Sequence, residues 1–155
     1  MEPRLDFLKT TPDVVRAMYG LHKPLSQSGL DKGLLDLVYF RVSQINGCAF
    51  CLDMHSKDLR AAGETEQRLY VLEAWRESPF YSERERAALA WAEAVTTLTG
   101  KDVPDDVYEQ ARAQFSEAEL VNLTLAVIAI NGWNRLNIAF RTTPGTYEVS
   151  MVFAA

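Results

Sequence analysis

The segment that most constrains the fold lies near the C-terminus, where residues 117–140 carry apolar side chains at helical spacing. Between residues 123 and 130 this segment is apolar on nearly every side, with Thr124 as the exception. A helix without a polar face belongs inside a protein, so we expect this helix to be central. Residues 116–119 read SEAE, the pattern of a capping box, which predicts where the helix begins.

The rest of the chain also predicts helices. Apolar residues recur at helical spacing, residues 82–85 read SERE as a second capping-box pattern, and HKPLSQSG at 22–29 is expected to be a break. No segment alternates with period two, and the tail YEVSMVF at 147–153 is only a weak strand candidate. We therefore predict an all-α bundle of about six to seven helices in a single domain, residues 1–155. The predicted helices span residues 12–21, 31–46, 48–62, 65–76, 83–98, 104–115 and 117–140.

Composition and charge narrow the possible partners. The 155-residue chain has 48% hydrophobic residues and a formal charge of −5 without a basic cluster, which argues against nucleic acid or an anionic membrane as the main partner. The N-terminus lacks the apolar run of a signal peptide, and the stretch LAVIAI is too short to span a bilayer. We therefore expect a cytoplasmic protein, in which a close cysteine pair is redox-active or metal-binding rather than a structural disulfide.

The two cysteines of the chain, Cys48 and Cys51, lie three residues apart, and His55 follows four residues later. On a helix, residues three apart have Cβ atoms roughly 5–6 Å apart, while disulfides join Cα atoms about 4.4–6.8 Å apart. The pair is therefore able to close and reopen as a disulfide with little backbone movement. Because so short a loop adds little stability, we interpret the spacing as redox cycling.

A helix start and a nearby imidazole favour ionisation of one thiol over the other. The unpaired N–H groups and partial positive charge of a helix N-terminus stabilise a thiolate. His55 lies one turn from Cys51 and two turns from Cys48, so Cys51 is the thiol predicted to share a proton with the imidazole. Cys48, nearer the helix tip, is expected to be more exposed and to suit the resolving role.

The preceding predicted helix offers further candidate residues. If the chain reverses tightly at residues 46–47, Asp36 comes to the level of His55 and is placed to orient the imidazole. Alternatively, Asp36 is a helix-start acid favoured by the helix dipole. Tyr39 and Phe40 point to opposite sides of this helix, so one of them is a candidate for lining the thiol site, and the sequence does not choose between them.

The sequence LLDLVYFRVSQINGCAFCLDMHSKDLR, residues 34–60, resembles the core of the alkylhydroperoxidase D-like (AhpD-like) proteins of the carboxymuconolactone decarboxylase superfamily. The resemblance covers residues 30–141. It implies an all-α fold that assembles into homotrimers or homohexamers, and a thiol peroxidase activity for which we predict no cofactor. It also implies that Cys51 attacks the peroxide and Cys48 resolves. His55 and Asp36 occupy the places of the family's histidine and acid.

Two positions depart from the family pattern. Asp36 stands where glutamate is usual and is one methylene shorter, and Phe50 stands where the best-known member has a histidine. Both differences affect how the thiol proton is transferred through the histidine and the acid, and which substrate fits. Neither removes the cysteine pair. The predicted partners are a peroxide and a dithiol reductant, for which a lipoyl protein, a thioredoxin-like protein and a small thiol are all open. The apolar segment 117–140 and the tail TYEVSMVF also favour a homo-oligomer.

Other interpretations of the cysteine pair are weaker on sequence grounds. Structural zinc usually needs four protein ligands, and His22 is remote in sequence from the motif. A thioredoxin-like oxidoreductase needs strands around the motif, and none are predicted. The decarboxylases of the superfamily act on a lactone acid without needing a cysteine pair. A non-enzymatic helical assembly protein with buried, inert thiols is the remaining alternative.

Overall fold

The computed structural model describes residues 2–149, and its regular secondary structure is helical. Among these residues there are nine α-helices and two short 3-10 turns, and no β-strand. This confirms the predicted all-α class. The helices are α1 (Phe7–Thr10), α2 (Pro12–Gly20), α3 (His22–Ser26), α4 (Lys32–Asn46), α5 (Ala49–Ala61), α6 (Glu66–Tyr70), α7 (Glu83–Thr97), α8 (Asp105–Gln114) and α9 (Glu117–Phe140).

The predicted helices are present, with differences at the short elements. The helix predicted at 65–76 is interrupted, because α6 is followed by a separate 3-10 turn, Leu72–Ala74. The segment expected to be a break contains α3, whose third residue is Pro24; proline is tolerated there because a first turn has no helical partner for the missing N–H. No helix is predicted at α1. Residues 147–149 of the weak strand candidate carry no regular structure, and 150–153 lie outside the described residues.

Local hydrogen bonds set several helix boundaries. The Ser82 side chain accepts from the backbone N–H of Glu85, whose carboxylate accepts from the backbone N–H of Ser82. Ser116 and Glu119 form the same reciprocal pair, so both capping boxes predicted from the sequence are formed. At the end of α4, Gly47 has φ 68°, a left-handed conformation that glycine adopts without steric cost. This residue ends α4 and turns the chain into α5.

The inner side of α9 packs against α4 and α7 and contributes to the larger hydrophobic cluster of the protein. Its side chains Leu123, Ala126 and Val127 are fully buried there. The expectation that this helix is central is therefore confirmed for one side. The core also supports the redox site, because α5 packs against both α4 and α9.

The outer side of α9 carries apolar side chains that this chain does not cover. Val121 is 70% exposed and Ile128 is 54% exposed. The expectation of a central helix therefore does not hold for this side, since the neighbours of α9 in the bundle lie on its inner side. No single helix among residues 2–149 has both the length and the apolar character to cross a membrane; α8 and α9 together do, as a pair bent by 117°.

A cluster of amide side chains joins the end of α4 to α9. The Asn46 amide donates to the side-chain oxygens of Asn131 and Asn134, at 2.9 Å each. Asn134 in turn donates to the hydroxyl of Ser43 at 3.0 Å. Paired polar groups of this kind favour one alignment of two helices, because a slip would leave buried amides without partners. The cluster therefore holds the last turn of α4 against α9, immediately before the chain enters α5.

Candidate active site

The N-terminus of α5 holds the cysteine pair. The backbone N–H of Cys48 donates to the carbonyl of Ser43 at 3.1 Å, which brings the residue tightly around the end of α4. Cys48 is the N-cap of α5, and its Sγ accepts a hydrogen bond from the backbone N–H of Cys51 at 3.4 Å. The two residues are joined by a disulfide, with Cα atoms 5.3 Å apart. The motif therefore brings its two sulfurs together at a helix start, as its spacing predicts.

Both cysteines are buried. Cys48 and Cys51 are each 1% exposed. The expectation that Cys48 is the more exposed of the two is therefore wrong: although it lies at the helix tip, α4 and α9 pack against α5 and cover that tip. A reagent reaches either sulfur only by passing between side chains or after a local opening of the bundle.

His55 lies one turn beyond Cys51 and is also buried, at 7% exposure. The centroid of its ring is 5.5 Å from that of Tyr39 on α4. Of the two aromatic candidates, Tyr39 is therefore the one beside the site, whereas Phe40 packs in a separate cluster with Trp75. This contact also confirms that α5 runs back along α4 after the turn.

The imidazole of His55 is neutral in the disulfide form. Burial lowers its pKa to about 3, and the positive charges of Lys32 and His22 add to this effect. Its Nε2 is buried without a hydrogen-bond partner among the described residues. An unpaired ring nitrogen is able to accept a proton, and the negative charge of a neighbouring thiolate is what would offset the cost of charging the buried ring.

Asp36 is buried on α4, and its carboxylate contacts a residue other than His55. Its carboxylate accepts from Lys32 Nζ at 2.5 Å, one turn earlier on α4. No hydrogen bond joins Asp36 to His55 among the described residues; the contact that the carboxylate makes is the one with Lys32. Burial raises the pKa of the Asp36 carboxyl, and Lys32 opposes that shift. In this state Asp36 is the ionic partner of a lysine.

Asn137 on α9 is a site residue that the sequence reasoning missed. Its side-chain amide donates to Cys51 Sγ at 3.6 Å, and the residue is 7% exposed. The asparagines of the sequence GWNRLNIAF, near the end of a largely apolar helix, were the available signal, because a buried amide needs a partner. The identity of that partner depends on how α9 packs against α5, which helical periodicity does not specify.

The outer side of α5 is covered by the segment that follows α9. The backbone N–H of Gly145 donates to Asp53 Oδ2 at 2.9 Å. Lys57 Nζ donates to the carbonyl of Tyr147 at 2.9 Å, and the Tyr147 hydroxyl lies 2.7 Å from Asp58 Oδ1. Three side chains of α5 therefore hold this segment along the helix that carries the redox pair.

Within residues 2–149, no three side chains of His, Cys, Asp or Glu are grouped so that they could hold a metal ion. The ring of His55 lies beside that of Tyr39, tilted by 37°. The second histidine, His22, lies on α3, where its Nε2 accepts from the indole N–H of Trp133 at 3.3 Å. The structure therefore does not bring His22 to the cysteine pair.

These features define a class of protein: a helical bundle built around a buried dithiol–disulfide pair that caps one helix, with a histidine one turn further on. Residues 12–94 match the model of the carboxymuconolactone decarboxylase family. The chain belongs to that family.

Relatives with known sequences extend this match to most of the chain. The uncharacterized protein YdfG of Bacillus subtilis is 43% identical over 139 residues, which are 90% of this chain and 95% of that protein. The uncharacterized protein YnjA of Escherichia coli is 33% identical over 113 residues, 73% of this chain and 62% of that protein. The alkyl hydroperoxide reductase AhpD of Mycobacteroides abscessus is 46% identical over 50 residues, only 32% of this chain and 27% of that protein.

Solved structures share the fold. A protein of unknown function from Agrobacterium tumefaciens, proposed to be the antioxidant defence protein AhpD, has a TM-score of 0.89 at 42% identity and covers 94% of this chain and 100% of that one. The debrominase Bmp8 has a TM-score of 0.78 at 22% identity, over 89% of this chain and 74% of that one, which is a likeness of fold alone. The family model, the AhpD relatives and the Agrobacterium structure together confirm the AhpD-like resemblance.

Proposed function

We propose that this protein is a thiol peroxidase that reduces hydroperoxides through Cys48 and Cys51. The observation that carries the proposal is the disulfide at the start of α5, one turn from a buried, neutral imidazole. Such a pair takes two electrons from a dithiol and passes them to a peroxide. The match to an alkyl hydroperoxide reductase over part of the chain supports the same chemistry.

The proposed cycle has three balanced steps. The Cys51 thiolate attacks a peroxide oxygen, so that an S–O bond forms as the O–O bond breaks; the departing alkoxide takes up a proton and leaves as an alcohol, and Cys51 becomes a sulfenic acid. The Cys48 thiol then attacks the Cys51 sulfur, forming the disulfide and releasing water. A dithiol finally exchanges with this disulfide, which oxidises the dithiol and restores both thiols.

His55 and Asp36 have unequal parts in this proposal. His55 takes the proton of the Cys51 thiol on its unpaired Nε2. Asp36 orients the imidazole only if it forms a hydrogen bond to His55, which is absent among the described residues, where its carboxylate pairs with Lys32 at 2.5 Å. We therefore propose His55 as the base and Asp36 as a secondary contributor.

The burial of Cys48 and Cys51 limits which reductants are able to reach them. Because Cys48 and Cys51 are each 1% exposed, a small dithiol or a flexible lipoyl arm reaches their sulfurs more readily than a folded thioredoxin-like protein does. We propose a peroxide as the oxidant and a dithiol of this slender kind as the reductant. A cytoplasmic location fits a cycle that consumes reduced dithiols.

The purified protein is expected to consume an alkyl hydroperoxide continuously when it is supplied with dihydrolipoamide, because the dithiol restores both cysteines after each cycle. Peroxide loss is measured with several peroxides and several dithiols. The double variant Cys48→Ser/Cys51→Ser is the control and is expected to show only the background rate. Equal turnover by this variant and the wild type would rule out the thiol mechanism.

The burial of both sulfurs also favours a second candidate function, a helical assembly protein whose thiols are inert. That protein would react slowly with an alkylating reagent when folded, even after reduction, and fast only when unfolded. Comparing alkylation of the reduced protein with and without denaturant separates the two candidates. A decarboxylase acting on a lactone acid would differ from both, since it would retain its activity in the double serine variant.

We also propose that the chain assembles into a homotrimer or homohexamer, with the outer side of α9 at the interface. Val121 and Ile128 leave apolar surface there that a partner chain would bury. Light scattering at micromolar concentration is expected to return a multiple of 17.5 kDa, and Val121→Lys/Ile128→Lys is expected to lower it. A wild-type mass near 17.5 kDa would show the proposal to be wrong.

A further inference from the structure

Asn137 provides a hydrogen-bond donor to the reacting sulfur from a second helix. Its Nδ2 lies 3.6 Å from Cys51 Sγ, across 86 residues of sequence. Both residues are buried, at 7% and 1% exposure. The contact therefore depends on how α9 packs against α5, and bulk water does not compete for it.

The neighbouring backbone determines which way the Asn137 amide faces. The same Nδ2 donates to the carbonyl oxygen of Trp133, one turn earlier, at 2.9 Å. A carbonyl oxygen accepts hydrogen bonds and cannot donate them, so a flipped amide would set two oxygens against each other. The amide nitrogen carries two N–H groups; Trp133 holds one, and the other is free to point at the sulfur of Cys51.

We propose that Asn137 is a catalytic residue of the thiol peroxidase, whose N–H group holds the Cys51 sulfur as a thiolate ready to attack peroxide. This inference rests on the proposed function and deepens it by naming the group that compensates the buried charge. A thiolate accepts a hydrogen bond more strongly than a thiol does, because it carries a full negative charge. A donor of this kind therefore lowers the pKa of the thiol.

The surroundings of Cys51 require such a donor. A thiol that is 1% exposed has its pKa raised by burial, which opposes ionisation. His55 supplies no positive charge until it has taken a proton, because burial keeps the ring neutral. Other titratable or charged side chains on these helices include Lys32, Asp36, Tyr39 and Arg41 on α4, Asp53, Lys57 and Asp58 on α5, and Arg135 on α9.

The test measures the ionisation of Cys51 without peroxide. In a Cys48→Ser background Cys51 is the one thiol of the chain, and its alkylation by iodoacetamide is followed across pH. Asn137→Leu is expected to raise the thiol pKa by about 1 unit, which slows alkylation at neutral pH by up to about tenfold. Because a more basic thiolate is a stronger nucleophile, the two rates are expected to converge or cross at high pH.

Asn134→Leu is the matched control. It removes another buried amide, one turn earlier on α9, whose partners are Ser43 and Asn46 rather than a sulfur. This variant is expected to leave the Cys51 pKa unchanged, and circular dichroism shows whether each variant is folded. If Asn137→Leu does not fold, the side-chain amide resonances of Asn137 are followed by NMR in the Cys48→Ser protein, where they are expected to shift with the Cys51 titration.

Three outcomes would overturn the assignment of Asn137. They are an unchanged Cys51 pKa in Asn137→Leu, alkylation slowed by the same factor at every pH, and amide resonances that do not follow the thiol titration. None of these measurements uses peroxide. If Asn137→Leu shifts the Cys51 pKa but the wild-type protein does not turn over peroxide, the peroxidase function is refuted and the role of Asn137 at the thiolate is retained. The failure of one proposal is therefore distinguishable from the failure of the other.

Discussion

Replacing Cys51 with serine is expected to abolish peroxide turnover, because neither the nucleophile nor the disulfide remains. The first reaction with peroxide is then limited to Cys48 and is expected to slow by roughly thirtyfold. This factor is the ratio between a fully ionised thiol and an unactivated thiol, of which only a few per cent is thiolate at neutral pH. Cys48 has no histidine one turn away, and among the described residues the Asn137 amide donates to the sulfur of Cys51 and not to that of Cys48. Sulfenic acid formation, followed by mass spectrometry across pH, measures the effect.

Replacing Cys48 with serine is the complementary experiment. This variant keeps Cys51, His55 and the Asn137 contact, so it is expected to react once with peroxide and to trap a sulfenic acid on Cys51. Faster sulfenic acid formation at Cys48 than at Cys51 would reverse the assignment. The helix N-terminus, where Cys48 Sγ already accepts a backbone N–H at 3.4 Å, would then be the stronger activating influence.

The oxidised protein is expected to lose about 2 kcal/mol of unfolding free energy between about pH 7 and pH 5 through His55 alone. The pKa of His55 is lowered from 6.5 to about 3 in the folded protein. Between these values the unfolded chain binds a proton that the folded protein does not, so acid favours unfolding. The stability is retained above pH 6.5 and is lost progressively as the pH falls. Denaturant unfolding at a series of pH values measures this slope.

Variants at the two histidines isolate this contribution. His55→Asn removes the titrating ring, and the dependence of unfolding free energy on pH is expected to flatten in this window. His22→Asn is the matched control; partial desolvation lowers the pKa of His22 also, but this residue is exposed whereas His55 is buried, so most of the slope is expected to remain. Asp36 acts in the opposite sense, because its raised pKa lets the folded protein bind a proton as the pH falls. Equal slopes in wild type and His55→Asn would contradict a neutral, buried imidazole.

The features that the sequence predicted well are those set within a few residues of chain. The capping boxes at Ser82 and Ser116 and the turn at Gly47 each depend on local hydrogen bonds or on one backbone conformation. The closure of Cys48 on Cys51 likewise follows from their spacing at a helix start. For the same reason the six segments that form helices of nine residues or more were predicted, and the segment 65–76 was found only in part, because α6 has five residues and a separate 3-10 turn follows it. The short helices α1 and α3, with four and five residues, carry too little periodicity to be detected.

The features that the sequence did not predict depend on how separate helices pack. Periodicity indicates which face of a helix is apolar, but not which element covers it, so the burial of Cys48 was missed. The ion pair between Asp36 and Lys32 is different, because the two residues lie four apart on α4 and their spacing is visible in the sequence. The contact between Asn137 and Cys51 joins two segments that no local pattern connects. Half of the candidate site is therefore local to the motif, and the other half is contributed by tertiary packing.

The backbone amide of Gly145, in the segment that follows α9, is a probe of α5, the helix that begins at the cysteine pair. The backbone N–H of Gly145 donates to the side chain of Asp53 at 2.9 Å, and not to the backbone of any helix. Its protection against hydrogen–deuterium exchange therefore depends on the contact between this segment and α5 rather than on helix stability. Because α5 begins at the redox pair, exchange at this one amide follows whether the helix and its covering segment separate when the disulfide is reduced.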